Sequence, residues 1–267
     1  MAKKQQKLGW TPNLKPFELF PFSNPKVPYI ILGLIGFIFY INTIYNEFAL
    51  DDGIVIHKNE YVMEGLGGID SIMSRDAYHS FYKQMNAKAQ LAGGRYRPLS
   101  IVSFAIEQEF IGSYADGKLP PANCWDKNGD GKGDKNEDIN DDGLYNDNDC
   151  LTEGCMLRHF NNVLFYVLCV LLIYGLFRNH MFTQYPDLAF LAALLFCIHP
   201  IHTEVIANMK SRDEIFSMIF IALTFISVFK YAETRLPKYI IWSTIYYFLS
   251  LLSKEYSTKA VLTTPWN

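Results

Sequence analysis

VPYIILGLIGFIFYINTIY, residues 27–45, decides the fold. It carries no charge, and a helix needs roughly 20 predominantly apolar residues to cross a bilayer. The chain has 267 residues, 50% of them hydrophobic. The apolar residues are bunched into long runs rather than spread at helix or strand period, which marks a membrane protein. On the N-terminal side, residues 1–26 hold Lys3, Lys4, Lys7, Lys15 and Lys26 and four prolines. These lysines predict a cytoplasmic basic tail. No short apolar core precedes a small-residue cleavage site, so no removed signal peptide is expected.

On the C-terminal side, further apolar runs cover Val163 to Phe177, Leu188 to Ile198, Ile215 to Phe229 and Tyr239 to Leu252. The expected architecture is an all-α polytopic membrane protein. It has about five transmembrane helices and a large extracytoplasmic loop between helices 1 and 2. Residues 27–45 are helix 1, 46–123 a catalytic-type loop, 124–155 an acidic insert, and 156–267 helices 2–5 with short loops. Lys230, Arg235 and Lys238 against Glu233 place the link between helices 4 and 5 inside, with the tail. Helices 2, 3 and 5 are short, so some of their ends are expected to be buried in protein or water-filled cavities. Pro98 to Phe110 has apolar residues near helical spacing, broken by Glu107, Gln108 and Glu109. It reads as an amphipathic helix on the outer leaflet or against the bundle.

Phe48-Ala49-Leu50-Asp51-Asp52-Gly53-Ile54-Val55-Ile56-His57-Lys58-Asn59 follows directly on helix 1. Two adjacent carboxylates there sit where water meets lipid. The same topology brings His199, His202, Glu204, Arg212-Asp213 and Lys254-Glu255 to that outer face. Ionisable groups converging at helix mouths point to a site. Pro200 disrupts the register of His199, His202 and Glu204, and no third strong ligand is evident, so no catalytic metal is expected. No basic stripe with interleaved aromatics appears, which argues against nucleic acid as a partner.

The net charge of -3 hides a polarised layout. From Asp126 to Glu153 ten acidic residues face three lysines, a local net of -7 that leaves +4 for the rest. Asp126, Asn128, Asp130, Asp134 and Glu137 fall at oxygen-ligand positions of a calcium loop, with Gly131 at its turn. Asp138, Asn140, Asp142, Asn146 and Asp149, with Gly143, repeat the pattern at once. No helix fits between the loops, so this is not an EF-hand pair. The insert resembles thrombospondin type 3 repeats, and structural Ca2+ would fold a segment with almost no apolar core. Cys124, Cys150 and Cys155 flank it; one pair could be oxidised, leaving one thiol over. Cys169 and Cys197 lie in apolar runs and read as packing residues.

Six short motifs occur in a telling order. They are residues 48–59, Gly94-Arg95-Tyr96-Arg97-Pro98-Leu99, Arg158-His159-Phe160-Asn161-Asn162-Val163, His199-Pro200-Ile201-His202-Thr203-Glu204, Lys210-Ser211-Arg212-Asp213 and Ser253-Lys254-Glu255. This series resembles the N-terminal half of the transmembrane and tetratricopeptide-repeat O-mannosyltransferases and their bacterial relatives. The resemblance implies an incomplete GT-C-type glycosyltransferase that moves a sugar such as mannose from a polyprenyl phosphate to a protein Ser/Thr hydroxyl. It implies Asp52 or Asp51 as the base, with a slight preference for Asp52. It implies Arg212 and Lys254 on the lipid phosphate, then Arg95 or Arg97. His199 and His202 would orient the phosphate or an acid, and Glu204 would meet an arginine or a sugar hydroxyl. The chain stops at Asn267, before the later helices and repeats of that family. A fragment, a split gene product or a remnant is therefore expected, with a partner chain as one source of missing helices. A bacterial inner membrane is preferred to an endoplasmic reticulum membrane. The competing reading is a non-catalytic scaffold or transporter-type subunit with a calcium-stabilised external module.

Overall fold

The computed structural model describes residues 22, 24–49, 51–86, 95–111, 130–135, 143–145 and 154–255. Helices and turns make up these residues, and no strand occurs among them. The protein is an all-α membrane protein with two layers, a bundle of long apolar helices and a cap of short ones at one end.

The bundle begins with α1, Val27–Tyr40, which has a proline in its first turn and tightens into a 3-10 turn over Ile41–Tyr45. Leu32, Gly36 and Tyr40 recur every four residues and are buried, while Ile30, Leu34 and Ile38 form an exposed apolar stripe. One face thus packs on protein and the other suits hydrocarbon. After the cap come α7 (Cys155–Leu176, continuing as a π turn over Phe177–Met181), α8 (Pro186–Ile198), α10 (Arg212–Thr234) and α11 (Lys238–Ser253). Helix α7 lies antiparallel to α1: Tyr29 meets Tyr174 and Tyr40 meets Tyr166, with ring centroids 4.6 and 5.2 Å apart. Arg235, in the left-handed conformation, ends α10, and Pro237 starts α11, which returns along α10 as a helical hairpin.

Among the described residues, three segments are long and apolar enough to cross a membrane: Val27–Tyr45, Cys155–Met181 and Met209–Thr234. Of the five expected spans, α8 and α11 are the short ones, with 13 and 16 residues. At 1.5 Å per residue they reach about 20 and 24 Å, less than the roughly 30 Å hydrocarbon core. The C-terminus of α8 lies within the protein instead. There the Tyr40 and Tyr166 hydroxyls donate to the Cys197 carbonyl at 3.2 and 2.9 Å. These bonds satisfy a last-turn carbonyl that has no partner within the helix, the Ile201 amide having turned to the His199 ring.

The cap comprises α2 (Asp52–Val55), α3 (Glu60–Met63), α4 (Ile69–Ser74), α5 (His79–Gln84) and α6 (Pro98–Ile111). It has its own core. Ile101, Phe104 and Ala105 of α6 bury against Val55, Ile56, Val62 and Met209. Short helices of four to six residues survive here because α6 supplies the apolar surface they lack. Helix α9 (His202–Ala207) and a 3-10 turn over Met209–Ser211 link α8 to α10 beneath this cap.

One boundary differs from the sequence expectation in a way that matters. Residues 155–162 belong to α7 and not to the preceding loop. Arg158, His159 and Asn162 interrupt the apolar pattern, yet they lie buried in the first turns of the helix. Gln108 and Glu107 of the cap partner Arg158, while Asn162 accepts from Arg212 and donates to the Ile206 carbonyl, so these side chains can sit inside the helix without water.

Candidate functional site

Asp51 and Asp52 occupy the turn that opens α2, and their side chains diverge. Asp52 is fully buried. Its carboxylate accepts backbone N–H bonds from Ala49 at 3.1 Å, Met209 at 3.4 Å and Lys210 at 2.7 Å. It therefore ties the loop after α1 to the turn before α10. Burial pushes its carboxyl above the ordinary value, against the three amides that hold it down. The His57 ring packs close over Gly53, where a Cβ would lie 3.1 Å from a ring carbon and the ring would have to give by a few tenths of an ångström.

Asp51 faces the opening, with 40% of its side chain exposed. Its Oδ2 accepts bonds from the Lys210 ammonium and, at 3.1 Å, from the Tyr78 hydroxyl. Arg95 stands 4.0 Å away and also donates to the Tyr78 hydroxyl at 2.6 Å. The hydrogen bond from Lys210 holds the Asp51 carboxyl below its usual range, helped by Tyr78 and Arg95 and opposed by partial burial. One part-exposed carboxylate thus sits among two cations and a phenol at the bundle mouth. That group can accept a hydroxyl proton while its cations hold an anion.

Two further clusters lie at the same end. Arg97 bridges Asp213 at 2.7 Å and Glu255 at 2.6 Å, joining the start of α6 to the start of α10 and the end of α11. Lys254 pairs with Asp213 at 3.8 Å and with Glu214. The paired acids raise the Arg97 guanidinium's already high pKa despite its burial. Arg212 is elsewhere. It is fully buried and donates to Asn162 at 2.6 Å, Ser103 at 2.9 Å, Glu107 at 2.7 Å and the Arg158 carbonyl at 3.0 Å. Its guanidinium also stacks over Phe104, 4.1 Å from the ring centroid. With its donors occupied inside the protein, Arg212 fixes α6 against α7 and α10 and is turned away from the opening.

His199 and Glu204 are exposed and His202 is half-buried. The His202 ring packs on Phe196 at 4.4 Å and lies 6.0 Å from His199. Burial and then the neighbouring imidazole lower its pKa. Glu204 lines an open cleft of about 550 Å³ whose other wall is the chain from Tyr45 to Ala49, just before Asp51. Among the described residues, no three His, Cys, Asp or Glu side chains converge as metal ligands would.

In the insert, Asp130 and Asp134 lie among the described residues, and Gly131 and Gly143 have φ of +72° and +77°. Asp126, Asn128, Glu137, Asp138, Asn140, Asp142, Asn146 and Asp149 lie outside them, as do Cys124 and Cys150. Cys155 is a free, buried thiol that donates to the Asn46 carbonyl at 3.3 Å.

Sequence reasoning overlooked Lys210, Tyr78 and Glu107 as site residues. Lys210 stood within a quoted motif, two residues before the arginine that drew attention. Glu107 was visible as an acid on an apolar helix face. Tyr78 left no signal, because only the folded cap brings it to Asp51.

No protein-family model and no solved structure matches the chain. Similarity to curated proteins is distant. The protein O-mannosyl-transferase TMTC2 of Mus musculus and that of Homo sapiens are each 24% identical over 211 residues, 77% of this chain and 19% of theirs. The protein O-mannosyl-transferase F38B6.6 of Caenorhabditis elegans is 36% identical over 64 residues, 23% of this chain and 9% of its own. The chain thus spans at most about a fifth of the length of these relatives.

Proposed function

We propose that this chain carries the acceptor-activating end of a GT-C-type membrane glycosyltransferase. It would move a sugar, mannose by analogy with the names of its relatives, from a polyprenyl phosphate to a Ser or Thr hydroxyl of a protein. The carrying observation is Asp51, part-exposed beside Lys210, Tyr78 and Arg95 at the mouth of an apolar bundle. The reaction side is the periplasmic or lumenal face.

In this reading the acceptor oxygen attacks the anomeric carbon as the bond from that carbon to the phosphate oxygen breaks. The polyprenyl phosphate leaves with the bonding pair, and the hydroxyl proton passes to Asp51. A carboxylate with a lowered pKa is a weak base. The chemistry tolerates this, because a cationic sugar centre develops before the hydroxyl must lose its proton. Lys210 and Arg95 meet the charge growing on the phosphate, with Arg97 and Lys254 behind them. When Lys210 turns to the phosphate, it releases Asp51, whose basicity then rises. Asp52 holds the loop in place. The acidic insert is read as a calcium-folded module, a reading supported by two turn glycines with positive φ at the sixth position of each loop.

Asp51→Asn tests the assignment in the native membrane. The expected result is a loss of sugar transfer of about a hundredfold or more, the usual range for a general base, with membrane insertion and the folded state retained. Transfer at the parental rate would remove Asp51 from the mechanism.

A further inference from the structure

The end of the molecule that holds Asp51 is sorted by charge. Lys210 and Arg95 gather around the Asp51 carboxylate. The adjoining cleft has the opposite character: Glu47 and Glu204 line it, and among the described residues no lysine or arginine does. Its volume of about 550 Å³ falls within the roughly 300–1,000 Å³ range of ligand sites. One wall is irregular chain leading to Ala49, with Asn46 in the extended region at φ -74° and ψ 152°. Tyr45 projects beside it, 78% exposed. Asn208 also lines the cleft, and its buried side-chain oxygen has no hydrogen-bond partner among the described residues, an acceptor that is costly to leave unmet.

We propose that this cleft seats an extended segment of the acceptor polypeptide, and that it selects acceptors with a lysine or arginine close to the reacting hydroxyl. The inference rests on the transferase reading and gives that reaction its substrate class. Two carboxylates repel a phosphate-bearing donor and attract a cationic side chain. Tyr45 offers a flat amphipathic surface of the kind peptides bury on binding. The wall from Tyr45 to Ala49 ends two residues before Asp51 in the chain, so a segment lying along it would bring its hydroxyl-bearing residue toward the base. The donor phosphate would keep to the Lys210 and Arg95 side, and the two substrates would meet at Asp51 from regions of opposite charge.

The test is binding without donor. A fluorescent Ser/Thr peptide flanked by lysines and its twin flanked by glutamates are titrated against the full chain in nanodiscs. The lysine peptide is expected to bind the tighter. Glu47→Gln and Glu204→Gln are each expected to weaken it by about two- to fivefold, the size of a solvent-screened charge pair, and the preference is expected to shrink at high salt. Glu204→Lys is expected to turn the preference toward the glutamate peptide, a gain that misfolding cannot produce. Glu233→Gln, at the far end beside His180, is expected to change nothing. Equal binding of both peptides, or indifference to Glu204→Lys, would overturn the proposal. Transfer measured in parallel separates the two readings. A lysine preference in binding without Asp51-dependent transfer keeps the cleft and sinks the chemistry. Asp51-dependent transfer without a lysine preference does the reverse.

Discussion

Three backbone amides converge on the Asp52 carboxylate, whereas Asp51 meets only side chains. Two adjacent residues with one chemistry therefore respond differently to the same substitution. Asp52→Asn must turn an NH2 group toward at least one of these amides, leaving a buried donor unpaired. The expected cost is about 1–3 kcal/mol, read as a lower unfolding temperature in detergent. Asp51→Asn gives up part-exposed ion pairs with Lys210 and Arg95, so at neutral pH it is expected to cost less than Asp52→Asn, about 1 kcal/mol at most. Acid separates the two parents further. The Asp51 carboxyl is held below its ordinary value, so the stability it contributes is complete above the unfolded pKa and is lost as pH falls through the folded one. Asp52 has the opposite sign: its raised pKa favours the protonated folded state, so its contribution declines as pH rises from the ordinary value through the raised one. Melting curves below about pH 4 are expected to drop for the parent chain and to drop less for Asp51→Asn. The sequence made the acidic pair visible as a candidate site. Which carboxylate faces the opening was not legible, because Lys210, whose amide holds one and whose ammonium meets the other, lies 158 residues after Asp52.

At the scale of elements, α6 shows what hydrophobic pattern can and cannot reveal. Its apolar spacing announced an amphipathic helix, and Ile101, Phe104 and Ala105 do form the buried face. Its acids were visible only as a break in the apolar run. Yet Glu107 is 9% exposed and faces two guanidinium groups, Arg212 at 2.7 Å and Arg158 at 3.7 Å. Asn161 donates to the same carboxylate at 2.7 Å. One buried negative charge thus binds the cap to two bundle helices. Glu107→Ala would leave both guanidiniums buried without their counter-charge, at an expected cost of about 3–5 kcal/mol. Glu107→Gln keeps one acceptor oxygen and is expected to cost less. Thermal unfolding ranks the pair, and equal stability of Glu107→Ala and the parent would refute the bridging role. The same network explains the placement of Arg212. A charged residue at a helix mouth reads from sequence as open to a ligand, and only its long-range partners show it turned inward.

At the scale of the whole molecule, helix contacts fix which ends lie together, and charge predicts which side of the membrane each end faces. The antiparallel pairing of α1 with α7 and of α10 with α11 gathers Asp51, Arg97, Asp213 and Lys254 at one end. It gathers Lys26, Arg178, Lys230, Arg235 and Lys238 at the other. Basic residues accumulate in cytoplasmic loops, so the Asp51 end should face outward. The acids at the two ends make this testable with little disturbance to the fold. Glu47 lines the cleft near Asp51, while Glu233 pairs with His180 at 3.1 Å near the basic end. In sealed membranes of known orientation, Glu47→Cys is expected to react with an impermeant maleimide added outside, above the background of the parent chain. Glu233→Cys is expected to react only after the membrane is opened. The reverse pattern would put Asp51 in the cytoplasm and remove the outward-facing transfer reaction, while leaving the helix pairing intact. Labelling of both from one side would contradict the pairing itself, because α1 and α10 would no longer place these residues at opposite ends.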